Sequence, residues 1–154
     1  MKWLLLVPLI PLLLVIGALI ANRPPLLDPP GPLQRLRLYF TTHVAETRVD
    51  HERPELRPIW LGMDEKQALS EIASAMDRLH WQDVRQQDGV VRALVVTPLL
   101  GFKDDIEVWL EPTGEGTLLQ ARSVSRIGRG DLAANTRHIL ELFQLLSVPP
   151  KPSL

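Results

Sequence analysis

The first 40 residues separate into three patterns. From Leu4 to Ala21 the chain runs eighteen residues without a charge. At about 1.5 Å per residue that run reaches roughly 27 Å, close to the hydrocarbon thickness of a bilayer. Trp3 stands at its head, where an interfacial aromatic belongs. Residues 1–21 are therefore expected to form one N-terminal transmembrane helix. The rival is a cleaved leader, whose apolar region ordinarily covers about 7–15 residues. Residues 22–34 follow as a proline-rich stalk, expected to be extended and polyproline-like. Leu33 to Phe40 then alternates between apolar and polar positions, which suits a short strand or a docking segment.

Residues 35–147 carry the patterning of one folded domain, and 148–154 that of a flexible tail. Leu56 to Leu61, between Pro54 and Gly62, is an extended candidate. Asp64, with Gln67 three residues on, predicts a capped helix start. Ala68, Leu69, Ile72, Ala75, Met76 and Leu79 then fall on one helical stripe. Trp81–Gln86 and Val90–Thr97, joined by Asp88-Gly89, read as a hairpin. Asp105 to Glu111 alternates strictly, Pro112 to Gly116 is a turn, and Thr117 to Arg126 returns. A last helix is expected from Asp131, with Leu132, Thr136, Ile139, Phe143 and Leu146 inward and Arg137, His138, Glu141 and Gln144 outward. The expected fold is α+β: a two-layer sandwich, an antiparallel sheet of four or five strands with two helices packed on one face.

Composition narrows the function classes. The 154 residues carry a net charge of −1, so no global field attracts nucleic acid. The chain has no cysteine, which removes disulfides, thiolate metal sites, lipidation and cysteine nucleophiles. His43, Glu46, Asp50 and His51 cluster loosely in a loop, without the paired spacing of a metal site. Neither Ser123 nor Ser125 sits in a Gly-x-Ser-x-Gly elbow. No catalytic residue, cofactor or metal is assigned. The short N-terminus with Lys2 reads as an inside end. The expected location is the inner (plasma) membrane, single-pass, with the domain facing the periplasm or the exoplasmic side.

Charges and hydroxyls concentrate at Asp104, Asp105, Arg122, Ser123, Ser125, Arg126, Arg129, Asp131 and Asn135. A hairpin turn near Gly114 would give paired positions summing to about 228, setting Ile106 opposite Arg122 and Asp105 opposite Ser123. Acidic groups on one arm would then meet guanidinium groups on the other. Two readings stay open. One is a structural latch: Asp104 and Asp105 pair with Arg122 or Arg126, while Asp131 caps the last helix. The other is a pocket in which Arg126 and Arg129, beside a helix N-terminus, take a carboxylate or phosphate. An acid/base role for Asp104 and Asp105 is disfavoured, because adjacent strand residues face opposite ways.

The same residues carry a family resemblance. Phe102, Asp104 and Asp105, then Arg122-Ser123-x-Ser125-Arg126-x-Gly128-x-x-Asp131, then Asn135, Arg137 and Ile139 resemble the hallmark of the domain of unknown function 1499 family (DUF 1499). The resemblance covers about Arg57 to Leu146 and is strongest over its C-terminal part. It implies an envelope-associated protein and no established activity. Two departures stand out: Thr41-Thr42-His43-Val44 replaces a cysteine-containing segment, and Ala133 stands where glycine is frequent. The expected function is a membrane-anchored, non-enzymatic binding or accessory module for an envelope protein partner or a small anionic ligand. The alternative is a hydrolase-type enzyme using Asp104, Asp105, Arg122 and Arg126.

Overall fold

A computed structural model describes residues 9–98, 100–114 and 116–147. The expected tail at 148–154 and the first eight residues of the expected anchor lie outside them. The chain orders its elements as helix α1 (Leu9–Asn22), helix α2 (Pro32–Thr41), strand β1 (Val44–Glu46), a short 3-10 turn (Pro54–Leu56), strand β2 (Ile59–Leu61) and helix α3 (Glu65–Arg78). Strands β3 (Gln82–Gln87), β4 (Val90–Val96), β5 (Lys103–Thr113) and β6 (Gly116–Ser125) follow, and helix α4 (Ala134–Ser147) closes the domain.

The fold is α+β around an antiparallel sheet in the order β1-β6-β5-β4-β3. β2 also pairs with β6, so the sheet has six strands where four or five were expected. β1 lies along Arg122–Val124 and β2 along Thr117–Leu119, so two short strands share the outer edge of β6. The hairpin at Asp88-Gly89 forms as its sequence requires: both residues take positive φ, 53° and 75°, the pair of values a two-residue turn between twisted strands needs. α3 begins on Asp64, whose side chain accepts from the Gln67 amide at 2.8 Å. Its stripe of Ala68, Leu69, Ile72, Ala75 and Met76 meets Val91, Ile106, Val108, Leu119, Ile139 and Leu142 in one core. α3 and α4 both pack against the sheet and against each other.

Three sequence expectations change. Leu33–Phe40 belongs to α2, not to a strand. Its helical period turns Arg35 and Tyr39, one turn apart, into the domain and leaves Phe40 outside. The segment before it is folded back by turns, with Leu26 N to Pro24 O at 2.8 Å and Gly31 N to Asp28 O at 2.9 Å, rather than extended. The fully buried Arg35 holds it there, donating to Asp28 O, Pro29 O, Tyr39 Oη and both oxygens of Glu55. Finally, α1 has 14 residues, a length of about 21 Å. Among the described residues no helix is long and apolar enough to cross a membrane, so a crossing helix over 1–21 is not supported by them.

Candidate functional site

The polar motif is divided by the pleat of the sheet. β5 and β6 pair as Asp104↔Ser125, Asp105↔Val124, Ile106↔Ser123 and Glu107↔Arg122. This is one step from the expected register, and burial explains the difference. Opposed residues share a face, so setting Ile106 opposite Arg122 would carry a guanidinium into the core. The observed register puts Ser123 beside Ile106 inside and Arg122 beside Glu107 outside.

On the outer face Arg126 makes the expected bidentate pair with Asp105, both bonds at 2.8 Å, with both side chains about half exposed. The Arg126 hydrogen bond holds the Asp105 carboxyl below the ordinary range, against a small opposing effect of burial. Arg122 reaches Glu46 of β1 at 3.4 Å, and Arg129 is exposed on the loop ahead of α4. Asp104 pairs with neither arginine.

On the inner face the remaining motif residues meet α4. The fully buried Asn135 accepts from Ser123 Oγ and donates through Nδ2 to Ser125 Oγ and to His43 O, each at 2.9 Å. The whole amide is thereby engaged. Asp131 caps the helix as expected, accepting from Ala133 N at 2.9 Å and Asn135 N at 3.0 Å. Its carboxyl is raised, first by burial and further by the nearby Asp104, against the pull of those capping bonds. The helix start comes later than Asp131 because Leu132 and Ala133 both take positive φ, 49° and 71°. A side chain resists the left-handed region, so Ala133 occupies a backbone position that suits glycine. The loop is tied down by Asp131 N to Thr42 O and Leu132 N to Tyr39 O. Gly130 lies so close to the end of α2 that an added Cβ would fall 2.4 Å from Phe40 O.

His138 was expected to face solvent, and it is buried. Its Nε2 lies 2.9 Å from Asp104 Oδ2, and the two residues are 3% and 1% exposed. The Trp81 and His138 rings meet in a T-shaped arrangement, centroids 6.2 Å apart and planes at 77°. The helical pattern missed His138 because α4 is buried over a stripe wide enough to include Asn135, His138 and Leu142 as well as Thr136, Ile139 and Phe143. His138 lies one turn beyond Asn135, a spacing that could have flagged it.

Asp104 and His138 line a cavity of about 280 Å3 between the end of α1, the β4–β5 connection and the start of α4. Ala18, Ala21 and Asn22 of α1 form one wall, and Asn22 Nδ2 donates to Leu132 O at 2.8 Å. The remaining oxygen of Asp104, Oδ1, and the remaining ring nitrogen of His138, Nδ1, are buried without a hydrogen-bond partner. Buried groups of this kind are ordinarily satisfied, and leaving one bare costs on the order of 1–3 kcal/mol. Both atoms belong to residues that line the cavity, but each has less than 1 Å2 of surface of its own, so a guest reaches them only with a shift of the pair. Three carboxylates (Asp104, Asp131 and Glu141) line the cavity, against one guanidinium, Arg137, which already pairs with Glu141 at 2.7 Å.

No curated protein matches the chain. The family model described as "Protein of unknown function (DUF1499)" matches residues 35–146, which contain every residue of the inner and outer clusters, and the chain belongs to that family.

Proposed function

We propose that this protein is a membrane-associated, non-enzymatic binding module of the cell envelope, tethered through its apolar N-terminal segment with the domain on the periplasmic or exoplasmic side. Its site is the cavity lined by Asp104 and His138. One observation carries the reading: a buried acid–imidazole pair, Asp104 with His138, forms part of the lining of a cavity that also holds Asp131 and Glu141. The ligand is uncharged or cationic rather than anionic. Carboxylates outnumber cations around the cavity, and the capping amides at the start of α4 are occupied by Asp131 itself. The hydrolase alternative needs Asp104, Asp105, Arg122 and Arg126 to act on one substrate. Asp105, Arg122 and Arg126 face the opposite side of the sheet from Asp104, which speaks against it.

The test is a thermal-shift screen of small hydroxyl- and amine-bearing compounds against the full chain, repeated on Asp104→Asn, His138→Gln and Arg126→Ala. Ligands that stabilise the parent and Arg126→Ala but neither cavity variant support the site. Ligands that depend on Arg126 and are indifferent to Asp104 and His138 refute it.

A further inference from the structure

The cavity has an apolar rim. Leu100, Phe102 and Ile127 line it and are 49%, 44% and 69% exposed. Large apolar side chains grouped at an opening mark contact with another apolar phase more often than they occur by chance on a free surface. Lys103 and Arg129, next in sequence or two residues away from rim positions, are also exposed, as is Arg23 just after α1. Basic residues beside exposed aromatic and aliphatic ones are what a bilayer surface favours. The opposite wall is the C-terminal end of α1, where Ile20 is exposed, and further back along the same helix Ile10, Leu12, Leu13 and Ile16 are exposed too. Ala18 lies only about 6 Å along the axis from the end of that helix at Asn22. If α1 sits in lipid, the cavity mouth falls at the boundary between headgroups and hydrocarbon.

The far end of the cavity sets the head chemistry. With Nε2–H of His138 donating to Asp104, both spare atoms are acceptors. With the ring protonated, Nδ1–H becomes a donor and Asp104 Oδ1 remains an acceptor. Nδ1 lies across the ring from Asp104, so one hydroxyl donates to Oδ1 in either state and a second accepts from Nδ1–H when the ring is charged. A carboxylate or phosphate would face Asp104, Asp131 and Glu141 instead.

We propose that the cavity takes a membrane-resident amphiphile with an uncharged, hydroxyl-bearing head, the head seated on Asp104 and His138 and the apolar chain leaving past Phe102 and Ile127 along the last turn of α1. This rests on the binding-module reading above and adds the class of ligand and its route of entry. The Trp81 ring, packed on His138, is the natural reporter.

The experiment uses the full chain in phosphatidylcholine nanodiscs, with Trp3, Trp60 and Trp109 changed to Phe. The probe is the monoglyceride of 4,5-dibromostearic acid, whose bromines lie close to the head and quench a nearby indole. Dibromostearate and a dibrominated phosphatidylcholine at equal bromine content serve as controls. The monoglyceride should quench Trp81 saturably, and at least tenfold more of it should be needed in Asp104→Asn. Phe102→Ser, at the exposed rim, should weaken the monoglyceride severalfold. Equal quenching by all three lipids, or quenching indifferent to both variants, overturns the amphiphile. If soluble hydroxyl compounds still bind with dependence on Asp104, the site stands and only its lipid ligand falls. If neither kind of ligand depends on Asp104, both fall together.

Discussion

The junction that folds the proline-rich segment onto the domain offers the sharpest energetic test. Arg35 is fully buried, and the Glu55 side chain is only 9% exposed. The guanidinium meets both carboxylate oxygens, with Nη2 to Oε2 at 3.0 Å, and spends its other donors on Asp28 O, Pro29 O and Tyr39 Oη. Glu55→Ala removes two charge-assisted bonds, each worth about 1.5–3 kcal/mol, and leaves a cation out of water. Removing one partner of a buried pair ordinarily costs about 3–5 kcal/mol. Because three neutral acceptors remain, the lower end applies, about 3 kcal/mol. For a chain of this size that is a fall in Tm on the order of 10 °C. Combining Arg35→Met with Glu55→Leu should recover most of the loss, since an apolar pair removes the stranded charge. The double variant nevertheless loses the clamp on the Asp28 and Pro29 carbonyls, so the segment around Arg23 should become more open to trypsin. Urea denaturation of the three proteins, with limited proteolysis beside it, reads both effects. A Glu55→Ala variant within about 1 kcal/mol of the parent would refute the claim that this pair holds the segment.

Further outcomes follow from the same geometry. Burial alone would push the Glu55 carboxyl up, but the hydrogen bonds from Arg35 and its own amide, with the Arg35 charge, outweigh it and hold it below the ordinary value of 4.5. The stabilisation is therefore present above the unfolded value and is lost as pH falls through the folded one, so acid unfolding below about pH 4.5 should be shallower in Glu55→Gln. Asp131 has the opposite sign: its raised carboxyl favours the folded state below the ordinary value of 3.8 and loses that advantage as pH rises. Asp131→Asn, which keeps a capping oxygen, should therefore gain on the parent between acid and neutral pH in denaturant titrations. Asn135→Ala strands Ser123, Ser125 and the His43 carbonyl, and should cost about 2–4 kcal/mol by chemical denaturation. The exposed Asp105–Arg126 pair, although bidentate, is screened by solvent, so Arg126→Ala should leave Tm almost unchanged, and any loss should shrink further in 0.5 M salt.

Much of the framework was legible along the chain because it is encoded within single elements. The strict alternation of β5, the Asp-Gly turn before β4 and the capped stripe of α3 need only neighbours in sequence to be recognised, and each formed as patterned. The polar motif was legible as a cluster, and its family was readable from the spacing of Phe102 to Ile139. Its division was not fully readable, because a single step in register decides which residues enter the core, and only packing against α3 and α4 sets that step.

What tertiary structure alone decided depends on partners far apart in the chain. Arg35 reads as a surface residue until Glu55, twenty positions on, neutralises it inside the domain. The turns of the proline-rich segment follow from that pairing. His138 reads as the polar side of a helix until Asp104, thirty-four positions earlier, meets it beneath the end of α1. A buried charge is tolerable only beside its complement, so a sequence that displays the charge without displaying the contact cannot announce its burial. The cavity and its two unsatisfied atoms exist only because three separate segments close around that pair.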